Sequence, residues 1–330
     1  MSAGETQTLD RSPTYSEVEL DLVVRRHEAI ADGVVRVVLA DAGGEPLPLW
    51  SPGAHIDLML TPSLVRQYSL CGSVRDVAEW SVAVLRAPDS RGGSSHVHDE
   101  LQVGSTVRVR GPRNHFPLVN SARYQFIAGG IGITPILTMI EAAEASGADW
   151  HLLYGGRERA SMSFLNELRQ FGDRVTVWPQ NENGMLDLAS ILGASRDDTL
   201  VYCCGPEGLL SAVEAACSSW PEGSLHLERF AAKEVEASAG TLDAFEVECA
   251  RSGVTLSIGP DDSIYDVAEA AGVDVLASCM EGVCGTCEVP VLEGIPDHRD
   301  SMLTETERAA CKVMMICVSR SCSERLVLDI

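Results

Sequence analysis

Cys279-Met280-Glu281-Gly282-Val283-Cys284-Gly285-Thr286-Cys287 sets three cysteines in one short run, with four and then two residues between them. Two glycines, Gly282 and Gly285, stand inside the run, and a further cysteine, Cys317, ends the apolar stretch Val313–Ile316. A short apolar stretch of this kind reads as a buried strand, which can carry Cys317 back to the loop. Cys311 lies in a charged, helix-like stretch and Cys322 between two serines in a turn, so Cys317 is the expected fourth member of the set. Cys71, Cys203, Cys217 and Cys249 read as core thiols.

The spacing C-x4-C-x2-C followed by a distant cysteine is the plant-type pattern for a [2Fe–2S] cluster. Two irons need four thiolates, and a short loop supplies three of them by wrapping the cluster. Gly282 and Gly285 lack Cβ atoms, so backbone amides can approach the sulfurs and stabilise the charge added on reduction. The alternative is a structural zinc site or a group of buried thiols. Zinc pairs usually show C-x2-C twice, and here the second pair is missing.

Around this segment the chain divides into an expected linker and three domains. The cluster lies in the last domain, 242–330, where Phe245–Ala250 and Val254–Ile258 read as a hairpin about Arg251-Ser252-Gly253. A short helix, Ser263–Ala271 with Ser263 as N-cap, and a closing strand, Arg325–Ile330, complete it. Residues 232–241, rich in Ala, Glu and Ser, form the expected linker. Residues 119–231 alternate strand candidates (Tyr124–Ala128, Trp150–Tyr154, Arg174–Trp178, Leu200–Cys203, Ser224–Glu228) with helix candidates (Pro135–Ala145, Ser163–Phe171, Asp187–Leu192, Glu207–Ser219), which predicts a parallel sheet covered by helices. Residues 15–118 hold short strand runs at Val34–Leu39, His55–Leu60, Gln67–Leu70, Trp80–Leu85 and Thr106–Arg110, punctuated by Gly and Pro, which predicts an antiparallel barrel or sandwich.

Two loops of the middle domain carry chemistry. Ala128-Gly129-Gly130-Ile131-Gly132-Ile133-Thr134-Pro135 follows a strand and opens a helix. Glycines there let backbone amides approach a pyrophosphate, and Pro135 in the first turn loses no needed hydrogen bond. Cys203-Cys204-Gly205-Pro206 ends another strand, and two such strand-end loops can border one nucleotide crevice. Cys204 can line a nicotinamide pocket or serve as a buried structural thiol. In the first domain, Arg66-Gln67-Tyr68-Ser69-Leu70 puts Arg66, Tyr68 and Leu70 on one strand face and Ser69 on the other. Arg suits a phosphate, Tyr a flavin ring and the Ser hydroxyl a ring nitrogen. Arg91-Gly92-Gly93-Ser94 adds a glycine loop for the phosphate, while His96 and His98 read as ordinary polar loop residues.

Charge and hydropathy narrow the partners. The net charge is −23, which excludes a nucleic acid partner, and 17 acidic against 6 basic residues from Leu242 to Ile330 give a net of −11 in the last quarter of the chain. An acidic face there can steer a basic protein partner. Eleven cysteines without a secretory signal are not a disulfide framework, and no segment approaches the roughly 20 apolar residues that span a bilayer, so a cytoplasmic protein is expected.

Taken in order, Arg66–Leu70, Arg91–Ser94, Gly111-Pro112-Arg113-Asn114, Gly129–Pro135, Cys204-Gly205-Pro206, Asp297-His298-Arg299-Asp300, Cys317-Val318-Ser319-Arg320 and the cysteine cluster resemble the phthalate dioxygenase reductase family, which includes vanillate demethylase reductases. The resemblance runs from about Glu17 to the end of the chain. It implies an FMN barrel, an NADH domain and a C-terminal ferredoxin domain of β-grasp type. By matching positions it implies that Arg66, Tyr68, Ser69, Gly92, Gly93 and Ser94 hold the flavin, with FMN rather than FAD because of the Arg91–Ser94 loop. Gly129, Gly130, Gly132, Thr134, Pro135, Cys204, Gly205 and Pro206 would hold the nucleotide, with Thr134 near both cofactors and Phe230 close to the flavin. Cys279, Cys284, Cys287 and Cys317 would hold the cluster. NADH is implied over NADPH, although Arg157 and Arg159 after the second strand of the middle domain could meet a 2′-phosphate.

The expected activity is therefore hydride transfer from NADH to FMN, assisted by Ser69, Thr134, Cys204 and Phe230, then single-electron delivery through the cluster. With no terminal domain in the sequence, a separate Rieske-type oxygenase, acting in ring hydroxylation or in O- or N-demethylation, is the expected acceptor of a monomeric reductase. The alternatives are a cytochrome P450 acceptor and, from another class, a redox-sensing or zinc-stabilised binding protein without turnover.

Overall fold

The computed structural model describes residues 17–62, 64–88, 92–232 and 243–330. The first unit contains β1 (Val18–Ala31), β2 (Val34–Ala40), β3 (His55–Thr61), β4 (Leu64–Ser69), β5 (Glu79–Leu85), α1 (Gly93–Asp99) and β6 (Thr106–Arg113). The strands pair antiparallel in the order β4-β3-β6-β1-β2-β5, and a bridge between Leu70 and Val82 brings the two outer strands together into a barrel. Strand β2, Val-Val-Arg-Val-Val-Leu-Ala, is apolar on both faces because both are covered. Val35, Val37 and Leu39 fill the barrel core, whereas Val34 joins the core of the second unit together with Ala83 and Phe116. The two units thus share a hydrophobic seam.

The second unit contains β7 (Arg123–Gly129), α2 (Ile133–Ser146), β8 (Asp149–Gly156), α3 (Leu165–Leu168), β9 (Val175–Pro179), α4 (Gln180–Asn183), α5 (Leu188–Leu192), β10 (Thr199–Cys204), α6 (Glu207–Ala216) and β11 (Leu225–Glu228). All pairings are parallel, in the order β11-β10-β7-β8-β9. The chain runs outward from β7 through β8 to β9 and then returns to build β10 on the other side of β7. The switch point therefore lies between β7 and β10. The helix expected over Ser163–Phe171 is only one α-helical turn, continued by a 3-10 segment, Arg169–Arg174. Phe164 adopts φ 62° to bury its ring, so the helix cannot begin at Ser163, and Gly172 at φ 56°, ψ −128° breaks the segment.

The third unit contains β12 (Phe245–Cys249), β13 (Val254–Ile258), α7 (Ile264–Ala270), β14 (Glu288–Glu293), β15 (Pro296–Asp297), α8 (Glu305–Ala310), β16 (Val313–Met315), β17 (Arg320–Ser321) and β18 (Arg325–Leu328). Its main sheet runs β13-β12-β18-β14-β16, with β12 and β18 parallel. Ser263 caps α7 by accepting from the Asp266 amide, as the sequence predicts, and α7 buries Ile264 and Ala268 against the sheet. The molecule is thus multidomain: an antiparallel β-barrel, a parallel α/β sheet and an α+β ferredoxin-type unit. The predicted linker lies outside the described residues except for Ala232. No helix among the described residues is long and apolar enough to cross a membrane.

Candidate functional site

In the third unit, Cys279 and the buried Cys284, Cys287 and Cys317 come together. The sulfurs of Cys287 and Cys317 are 3.1 Å apart, and the Cys279 sulfur interacts with those of Cys284 and Cys317. β16 ends at Met315 and delivers Cys317 to the loop, the service expected of the Val313–Ile316 run. Cys311 instead caps α8, and the Cys322 amide bonds the Ile295 carbonyl. Backbone amides turn inward: Glu281 N–H reaches the Cys279 sulfur at 3.3 Å, and the Gly282 amide serves Cys317. Gly282 and Gly285 have φ of 68° and 71°, a conformation that L side chains rarely adopt. A Cβ on Gly282 would stand 2.6 Å from Val318 and 2.9 Å from the Asp300 backbone, and one on Gly285 would press the His115 ring at 2.9 Å.

The neighbouring Cys279 and burial push the Cys284 thiol up. Four sulfurs brought together on one loop and one strand end, with backbone amides turned toward them, offer the thiolate set that iron favours, so the nest fits a metal–sulfur cluster.

In the barrel, the start of α1 is packed on β4. A Cβ on Gly93 would overlap the Arg66 side chain, so the glycine is what lets Arg66 lie over the turn. Gly92 holds φ 89°, and the Ser94 hydroxyl accepts from the Ala87 amide at 3.1 Å. The predicted Arg91–Ser94 loop thus becomes, from Gly93, the first turn of a helix, and Arg91 lies outside the described residues. His96 and His98 lie on that helix rather than in a loop, and the His98 ring is engaged with the Val84 carbonyl at 2.9 Å. An arginine, a glycine turn and a serine beside one another are a fit for a phosphate.

Leu70 is buried in the barrel core, and Tyr68 is half-buried against that core. Ser69 is buried on the alternate face, where antiparallel pairing aligns two rows across β4, β3 and β6: Ser69–His55–Arg113 and Gln67–Asp57–Arg110. The Gln67 amide nitrogen and both His55 ring nitrogens are buried without a hydrogen-bond partner. Such orphans suit a polar ring laid against this face.

In the second unit the two glycine loops meet at the switch point. Cys204 is in register with Ala128. A Cβ on Gly132 would overlap the Cys204 carbonyl, one on Gly129 would come within 2.7 Å of Pro206 and Leu209, and one on Gly205 within 3.0 Å of Gly129. Gly130, at φ 56°, instead faces open space, and the Tyr154 hydroxyl donates to its carbonyl at 3.2 Å. Pro135 and Thr134 lie in the first turn of α2, and the buried Thr134 hydroxyl donates to the Ile131 carbonyl at 3.0 Å, so it braces the loop. Loss of hydration drives the Cys204 thiol far up and lifts the Glu228 carboxyl to about 8, with the thiol 3.8 Å from that carboxyl. Phe230, just beyond β11, is 44% exposed. Arg159 is paired with Glu182 at 2.8 Å beyond the ends of β8 and β9, so its charge already has a partner.

Sequence reasoning missed a group of charges between the barrel and the cluster loop. Asp57, wholly buried, pairs with Arg110 at 3.0 Å and Arg113 at 2.6 Å, and Glu17 pairs with both arginines. Removing one partner from a buried set of this kind costs roughly 3–5 kcal/mol. Only the β3–β6 register reveals it, since Asp57 and Arg110 are far apart in sequence and each sits in an ordinary strand.

The comparisons with known proteins agree with this geometry. Residues 247–322 match the model of the 2Fe-2S iron-sulfur cluster binding domain, and residues 126–215 that of the oxidoreductase NAD-binding domain. Phenoxybenzoate dioxygenase subunit beta of Ectopseudomonas oleovorans is 44% identical, over 92% of this chain and 96% of its own. The solved structure of phthalate dioxygenase reductase, described as modular for electron transfer from pyridine nucleotides to [2Fe-2S], is 34% identical with a TM-score of 0.70, over 94% of this chain and 98% of its own. An intact type IV self-sufficient cytochrome P450 monooxygenase is 46% identical with a TM-score of 0.87, over 94% of this chain. The chain spans only 41% of that monooxygenase.

Proposed function

The chain belongs to the phthalate dioxygenase reductase family, and from that premise we propose that it is an NADH-dependent oxidoreductase that feeds single electrons to a separate Rieske-type terminal oxygenase. Its cofactors are FMN, NADH and a [2Fe–2S] cluster. When bound, the flavin takes up a hydride and the cluster carries electrons one at a time, chemistry that no side chain supplies. The chain binds and orients. Arg66, Gly92, Gly93 and Ser94 hold the phosphate, while Tyr68 and Ser69 place the ring. Gly129, Gly130, Gly132, Thr134, Pro135, Gly205 and Pro206 shape the nucleotide crevice. Cys204 and Phe230 border the place where nicotinamide and flavin meet. The functional units are residues 15–118, 119–231 and 242–330, joined in the last case by a linker over 232–241.

The observation that carries the proposal is the nest of four sulfurs on a loop that touches the barrel at His115, whose ring stacks on His55, the cross-strand partner of Ser69. A zinc-stabilised binding protein has no use for that adjacency. A binding partner without turnover also has no use for a nucleotide crevice abutting the same barrel. Eleven free cysteines suit a reducing compartment, so the protein belongs in the cytoplasm, and it acts there as a monomer.

A second acceptor, a cytochrome P450, is favoured by the 46% identity to the self-sufficient monooxygenase. Mixing the purified reductase with each candidate and measuring substrate-dependent NADH consumption separates the two. The expected result is consumption tightly tied to substrate with a Rieske oxygenase, whether a ring hydroxylase or a demethylase, and weak coupling with a P450. Coupling to the P450 alone would reverse the assignment of the acceptor.

A further inference from the structure

The Asp57–Arg110 pair does something that the cofactor assignments do not use. Arg110 Nε and Nη2 both donate to Asp57 Oδ2, at 3.2 and 3.0 Å. The same Nη2 also reaches out of the barrel and donates to the Ala277 carbonyl at 3.2 Å, two residues before Cys279. A second barrel residue touches the loop further along, where the His115 ring fills the space left by Gly285. His115 follows the Gly111-Pro112-Arg113-Asn114 segment, which the Asn114 side chain fixes by donating to Ser51 Oγ and the Pro52 carbonyl, both at 2.8 Å. The cluster loop therefore rests on the barrel at two points, before its first cysteine and between its second and third.

The cross-strand rows make the location meaningful. Arg110 stands two strands from Gln67 in one row, next to the row that begins at Ser69. With neighbouring strands about 4.8 Å apart, the flavin strand and the arginine are separated by roughly 10 Å of rigid sheet. Asp57, with no exposed side-chain surface, anchors the guanidinium, and Glu17 and Arg113 complete a set of two acids and two bases. Taking away Arg110 leaves that set with a net negative charge beside the cluster.

We propose that Arg110, anchored by Asp57, is a positioning residue for electron passage: it seats the cluster loop on the flavin barrel, and its charge favours the arrival of the electron on the cluster. This rests on the cofactor assignment above. The step itself moves one electron from the reduced flavin to the cluster, and no bond to the protein forms or breaks.

The test uses the holoprotein and the variants Arg110→Gln, Arg110→Lys and the neutral double variant Asp57→Asn/Arg110→Gln. Anaerobic rapid mixing with NADH follows flavin bleaching and cluster reduction separately, redox titration gives the cluster potential, and hydrogen exchange reports on the amides of residues 277–287. In Arg110→Gln, flavin bleaching stays within about twofold of wild type. Cluster reduction slows at least tenfold, the potential moves negative, and exchange across 277–287 rises. Arg110→Lys restores the potential but only part of the rate, because one ammonium cannot hold the Asp57 carboxylate and the Ala277 carbonyl as a guanidinium does. The double variant removes the uncompensated Asp57 charge, so it separates seating from barrel stability if the single variant unfolds. The double variant is expected to keep slow cluster reduction and raised exchange. Wild-type cluster reduction and exchange in either folded glutamine variant overturns the proposal. A wild-type protein that lacks a reducible cluster, or whose flavin NADH does not bleach, would instead overturn the cofactor assignment, and the two failures are told apart by the wild-type control.

Discussion

The cluster loop and the nucleotide crevice are both built around glycines that tolerate no side chain, yet they announce themselves differently. The cluster loop declares its chemistry within one short segment: three of the cysteines proposed as ligands stand in it, and Gly282 and Gly285 sit between them at positive φ. The crevice divides its message between two loops distant in sequence. Gly129 ends β7 and Gly132 follows it, while Cys204 ends β10 and Gly205 follows it, and neither loop has a reason for its glycines until the parallel register lays Cys204 beside Ala128. Covalent ligands can be recognised singly; mutual clearance is a property of two surfaces.

The sharpest way to break this contrast is at Cys284. Alanine there should abolish electron delivery to any downstream acceptor and reduce acid-labile sulfide, while NADH still bleaches the flavin at close to the normal rate. Acceptor reduction that survived with intact kinetics would mean that the relay runs elsewhere. A smaller effect is expected at Gly132. The Cβ of alanine meets the Cys204 carbonyl, which is backbone and cannot swing away, so the two loops must part. The variant should lose about 1–3 kcal/mol of stability in denaturant titration and bind NADH at least tenfold more weakly, with the cluster spectrum unchanged. If NADH affinity held, the loops would not form one crevice.

The mildest test concerns Glu228 at the crevice wall. Its folded pKa of about 8 lies above the ordinary 4.5, so between those values the native protein keeps a proton that the unfolded chain has released. Stability from this group is present in full below about pH 4.5 and is lost as the pH climbs through about 8. The melting temperature of wild type should fall across that range relative to Glu228→Gln. Parallel melting curves for the two proteins would show that Glu228 is ionised in the folded state.

What was legible in the sequence follows the same division. The gathering of Cys279, Cys284, Cys287 and Cys317, the alternation of β7 to β11 with their helices, and the Ser263 cap could be read locally, because each rests on spacing or periodicity over a few residues. β1 was missed. It is the longest strand described, and Glu19 to Leu22 carry the strand alternation, but Arg25 and Arg26 interrupt that pattern at a bulge between Val24 and Arg26. The helix expected at Ser163–Phe171 yielded to the burial of Phe164, a tertiary demand with no local signal. At the flavin segment the sequence named Arg66 and Gly93 separately, and only their packing explains why residue 93 has no side chain. The buried charges at Asp57, Arg110 and Arg113 were invisible because strand register alone brings them together.

The position of β18 has a consequence for biosynthesis. It lies in the middle of the third sheet, between β12 and β14, although it is the last strand described. A ribosome will have released Cys279, Cys284, Cys287 and Cys317 before it releases Arg325–Leu328. The barrel and the nucleotide unit can mature while the chain is still emerging. The iron-bearing unit cannot close until β18 has emerged, so its metal is best loaded after that point, onto a chain whose first two units have already folded.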